Sequence, residues 1–143
     1  MAFIRGAQVK ARTHRLLQAA FLAGAITDAA ALLPMLSPRL ARLLWGLQDA
    51  PGSYRLAMGS GASLMLGWTM LLLWAYRRPL ERRAVAAFTI AVIAGLIVTE
   101  VWAVSAGVLA AGRMAPTFVL QSVLGVLFAA AFRSGRSRES VAA

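Results

Sequence analysis

Cysteine is absent from the 143 residues, which excludes disulfides, thiolate catalysis and sulfur-bound metals together. Histidine occurs once, as His14 in a basic stretch ahead of the first apolar run, so neither a histidine metal site nor a histidine base in the core is expected. No cofactor is expected either. Charge is scarce as well: 14% of residues are charged, and only five are acidic. Against a hydrophobic share of 60%, that is too little charge for a soluble domain of this size, and the composition calls for a membrane.

What the chain does have is long apolar runs, at roughly 16–36, 57–76, 84–108 and 115–132. Each is near the ~20 residues that a helix needs to cross hydrocarbon. We therefore expect an all-α fold, an integral membrane four-helix bundle forming one domain over 1–143. Asp28 in the middle of the first run, and that run's length, argue for a retained helix rather than a cleaved signal peptide.

The fifteen basic residues set the expected orientation. Arg5, Lys10, Arg12 and Arg15 precede the first run, Arg77, Arg78, Arg82 and Arg83 lie between the second and third, and Arg133, Arg136 and Arg138 follow the fourth. Only Arg39, Arg42, Arg55 and Arg113 fall on the other side. By the positive-inside rule both termini are cytoplasmic, and the expected location is a bacterial inner membrane, arginine and alanine being favoured over lysine as in GC-rich genomes. The net charge of +10 then follows from topology and lipid headgroups, not nucleic-acid binding, for which no soluble domain presents the clusters.

The first loop predicts a short amphipathic surface helix. Ser37 can cap it, Pro38 suits its first turn, and Leu40, Leu43, Leu44 and Leu47 recur at helical spacing beside Trp45. Arg39, Arg42 and Asp49 supply a polar face, and Ala50-Pro51-Gly52-Ser53 ends it. Lying on the membrane surface and serving as a packed lid are equally open to it. Trp74 and Tyr76 before Arg77-Arg78 mark the cytoplasmic boundary as an aromatic belt, and the segment 133–143 is expected to be a mobile tail.

Inside the runs stand two acids, Asp28 in the first and Glu100 in the third. A carboxylate near the centre of a spanning helix costs at least roughly 2.5–3.5 kcal/mol, so the pair asks for a function. At about 1.5 Å per residue from each run's midpoint, Asp28 lies roughly 3 Å and Glu100 roughly 6 Å toward the outer side, with Gln121 and Ser63 roughly 5 Å out. Small-residue strips suggest which faces look inward: Ala20, Gly24, Asp28 and Ala31; Gly59, Ser63 and Gly67; Thr117, Gln121, Gly125 and Ala129. Thr99, Trp102 and Ala106 border Glu100, whereas Trp68 reads as packing.

The candidate ligand-binding set is therefore Asp28, Glu100, Gln121, Ser63, Trp102 and Arg55. Asp28 and Glu100 could share a proton, or Arg55 with Tyr54, or Arg113, could reach inward and neutralise one of them. The leading expectation is a cavity in the outer half that binds or moves a small cationic or amphipathic ligand, with a homo-oligomer or a membrane-complex partner supplying further helices. An accessory subunit of a larger complex, with the acids holding register, and a lipid-modifying enzyme, with the acids as proton donor and acceptor, remain the alternatives.

Leu33-Pro34 at the end of the first run, Ser37-Pro38-Arg39-Leu40, Tyr54-Arg55 ahead of a Gly-rich run and Trp74-Ala75-Tyr76-Arg77-Arg78-Pro79 together resemble small uncharacterised bacterial four-helix membrane proteins, including DoxX-like ones. The resemblance covers most of the chain, implies the four-helix plan and carries no active-site residues. The size and the acid in the first run also resemble small multidrug transporters, but Asp28 stands where those have glutamate and the first loop is longer than their connections.

Overall fold

The computed structural model describes residues 2–46 and 52–136. It has five helices and no strand among them: α1 (Ala2–Leu36), α2 (Pro38–Trp45), α3 (Gly52–Arg77), α4 (Ala84–Ser105) and α5 (Ala111–Arg136). Leu47, Asp49 and Ala50-Pro51 in the first loop, and the tail from Ser137 onward, lie outside the described residues. Stretches of 26, 24, 22 and 24 residues in α1, α3, α4 and α5 are long and apolar enough to cross a membrane. Even 22 residues extend about 33 Å as a helix, against a hydrocarbon thickness of about 30 Å.

The boundaries differ from the expected runs for local reasons. α1 reaches back through the basic stretch to Ala2, because residues 2–15 contain no proline and are rich in Ala, Gln, Lys and Arg, all good helix formers; His14 therefore lies within it. α4 stops at Ser105 rather than near 108. There Gly107, at φ 72°, donates its N–H to Val104 O (3.1 Å), and Val108 donates to Ala103 O (2.9 Å), the paired bonds of a Schellman end. α5 starts four residues earlier than its apolar run, carries Pro116 within its second turn and continues to Arg136, so residues 133–136 of the expected mobile tail are helical.

α2 follows its sequence signals at its start and ends earlier than expected, at Trp45; Gly52-Ser53, expected to end it, open α3. Ser37 has an extended backbone and its hydroxyl accepts from Leu40 N at 3.5 Å, Pro38 opens the first turn, and Gly46 closes the helix at φ 72° with its N–H on Arg42 O. Arg113 at the start of α5 donates a second bond to that same carbonyl, at 3.3 Å, and so sets a cation against the negative end of the α2 dipole. Ala41 is buried against the bundle, while Leu43 and Leu44 face outward.

The long helices form an incomplete ring. α1 packs most heavily on α3 and next on α5, α4 packs on α5, and α3 and α4 barely touch. The terminal end, where α1 begins and α5 finishes, is closed. Leu17, Ala20, Phe21 and Ala25 of α1 meet Leu72 and Ala75 of α3, Val85, Ala86 and Ile93 of α4, and Leu124, Phe128 and Ala131 of α5. The Phe21 and Phe128 rings lie 5.9 Å apart, and Thr13 Oγ1 donates to Ser134 O at 3.3 Å. The α3–α4 connection is tight there as well: Arg82 stacks its guanidinium 3.5 Å from the Trp74 ring centroid and donates to the Trp74 carbonyl, and Arg78 pairs with Glu81 at 3.4 Å. Outward, Ile26, Leu64, Phe88 and Val126 leave large apolar surfaces exposed on all four long helices.

Candidate functional site

Toward the loop end, where α2 and the α4–α5 turn lie, the buried core gives way to a cleft of about 470 Å³. It opens between α3 and α4, the two helices that barely meet, and its floor is α1 and α5. Gly24 lines it where an added Cβ would stand 3.0 Å from the Phe128 ring and 3.1 Å from Leu72, so a larger residue would push those side chains aside by a few tenths of an ångström. The walls are apolar: Met65 and Leu72 from α3, Val92 and Ile93 from α4, Leu124 and Phe128 from α5.

Three polar side chains line this cleft. Thr89 is satisfied within its own helix, its hydroxyl donating to Val85 O at 2.8 Å. Asp28 is half-buried and has no hydrogen bond or ion pair to any described residue. Trp68 has a buried indole N–H with no acceptor among the described residues. An apolar cavity lined by one unpaired carboxylate and by the aromatic side chains of Trp68 and Phe128 has the chemistry of a site for a hydrophobic cation.

Glu100 and Gln121 continue the same faces of α4 and α5 one helical turn beyond the lining Leu96 and Leu124. Gln121 Nε2 donates to Glu100 Oε1 at 2.8 Å, and Gln121 is only 8% exposed. The second carboxylate oxygen of Glu100 and the amide oxygen of Gln121 are buried without a donor among the described residues. Around Glu100 and Gln121, buried acceptors thus outnumber buried donors, the inverse of an anion site.

The expected polar layer is only partly assembled. Glu100 and Gln121 meet, and Asp28 lines the adjoining cleft, but the two acids share no bond. Ser63 stands apart: it is exposed and donates to Gly59 O of its own helix at 3.1 Å. The strip Gly59, Ser63 and Gly67 therefore does not face the bundle; Ala62, Thr69, Leu72 and Ala75 are the buried residues of α3. Trp102 is 66% exposed on the outer face of α4, while its neighbour Ala103 is buried. Neither expected arginine neutralises an acid: Arg113 is engaged at the α2 end, and Arg55 is exposed at a separate cavity beneath α2.

Trp68, which the sequence reads as packing, does pack against the core, and it also lines the cleft. Its signal was present, since Gly61, Met65, Trp68 and Leu72 recur at i, i+4, i+7 and i+11 and form the cleft face of α3. The competing small-residue strip on the same helix obscured it. Comparisons with protein-family models, curated proteins and solved structures give no match, so the site's chemistry alone carries the functional argument.

Proposed function

We propose that this is a multi-pass protein of a bacterial inner membrane, with both termini cytoplasmic, whose lateral cleft binds a small lipophilic cation. The apolar surfaces on all four long helices support the bilayer setting, because water would penalise them and lipid does not. The observation that carries the ligand is Asp28: a carboxylate without a partner among the described residues, in a mainly apolar cleft that Trp68 also lines. Such a group is costly in hydrocarbon unless something positive meets it.

A cleft open between α3 and α4 admits its ligand sideways from the bilayer, where lipophilic cations concentrate. Binding is the function this supports best. Moving the ligand across would need a second copy of the chain, because four helices enclose little space. Tetraphenylphosphonium is a suitable probe. Purified protein in neutral detergent should bind it saturably; Asp28→Asn should weaken binding about tenfold or more, and Trp68→Phe by several-fold. An Asp28→Asn protein that elutes and melts like the parent and still binds with unchanged affinity would overturn the proposal.

A further inference from the structure

A second cavity, of about 370 Å³, lies at the loop end between the last turn of α1, α2 and the first turns of α3. Its chemistry is the reverse of the cleft. Arg42 of α2 and Arg55 of α3 line it, and neither forms an ion pair with a described residue. Tyr54 also lines it, and its phenolic oxygen is buried with no hydrogen-bond partner among the described residues. No acidic side chain is among the described residues of its lining. The remaining wall is apolar, with Met35 and Met58 at its base.

Two guanidinium groups and a hydroxyl offer more donors than the two oxygens of a carboxylate can accept. The three terminal oxygens of a phosphate monoester match them better, and arginine forks favour that group. The methionine wall suits a carbon chain attached to the phosphate. α2 holds one side of this arrangement in place, with Ser37 fixing its start and Arg113 its end. We propose that the loop-end cavity binds the phosphate of a phosphate-bearing amphiphile, a site separate from the Asp28 cleft and independent of what that cleft holds. Met35 lines both spaces and its methyl lies against the bare backbone of Gly61, 2.9 Å from where a Cβ would stand, so one side chain divides them.

The test is titration calorimetry on the full chain in neutral detergent, with dioctanoyl phosphatidate, dioctanoylglycerol and inorganic phosphate as probes. Phosphatidate should bind saturably at one per chain, and dioctanoylglycerol should not. The double variant Arg42→Gln/Arg55→Gln should lose about tenfold or more in affinity, and Tyr54→Phe several-fold, whereas Arg77→Gln at the terminal end should change nothing. Both arginines are exposed, so the double variant should keep the parent's melting midpoint. Competition by millimolar inorganic phosphate would assign the site to phosphate itself, and lack of competition to the lipid headgroup; either supports phosphate recognition. Equal binding of the phosphate-free lipid, or an unchanged affinity in the double variant or in Tyr54→Phe, would overturn it.

Discussion

Glu100 and Gln121 illustrate how a polar residue in an apolar helix is made tolerable. The amide gives the carboxyl one donor, and Gln121 is nearly closed off from the surroundings. Gln121→Leu removes that donor and leaves the carboxyl with none, so it should destabilise the protein by about 1–3 kcal/mol, read as a lower thermal midpoint in detergent. Glu100→Gln keeps an acceptor opposite Nε2 and should cost less. Ser63→Ala should change stability by no more than about 0.5 kcal/mol, because Ser63 is exposed and bonds only to its own helix. The sequence singled out Asp28, Glu100 and Gln121 by depth and residue type. It did not reveal that Gln121 would take Glu100 and leave Asp28 alone, since depth along a helix says nothing of which neighbour lies alongside.

At the scale of elements, α2 was the most legible part of the chain. Its cap, its first-turn proline and its spacing of leucines are local signals, and each acts within a few residues of where it is read. Its far end depends on more than local sequence, because Arg113 arrives from a residue 71 positions away. Gly46→Ala forces a side chain into a left-handed backbone and sets a Cβ 2.7 Å from Arg113 Nη1, so it should weaken the end of α2 by about 1 kcal/mol. Hydrogen exchange at the last α2 amides should then quicken about fivefold, with Arg113→Ala acting in the same direction and the core amides of α1 unaffected. The inward face of α3 was not legible. Small residues suggested one stripe, yet the helix turns Ala62, Thr69, Leu72 and Ala75 to the core, the rotation set by its packing on α1 and not by the glycines.

For the whole molecule, the ring closes at the terminal end and opens at the loop end, which puts both cavities on the same half. The orientation in the bilayer can be checked without a competing thiol, because the chain has no cysteine. In sealed right-side-out vesicles, an impermeant maleimide should label Gly112→Cys at the loop end and spare Arg133→Cys at the terminal end until the membrane is permeabilised. The opposite pattern would reverse the proposed topology and turn both cavities toward the cytoplasm.

By itself the sequence determined the number of long apolar helices, their approximate lengths, the short capped α2 and the absence of cysteine. These follow from composition, run length and capping, which act over short stretches of chain. Only the tertiary structure decided which faces met: that Glu100 bonds to Gln121, that Ser63 and Trp102 turn outward, and that Asp28 and Trp68 share a cleft. Helices apolar on nearly every side carry little amphipathic signal to fix their rotation. Rotation is set instead by the sum of many weak contacts with neighbouring helices, and those contacts exist only once the bundle has assembled.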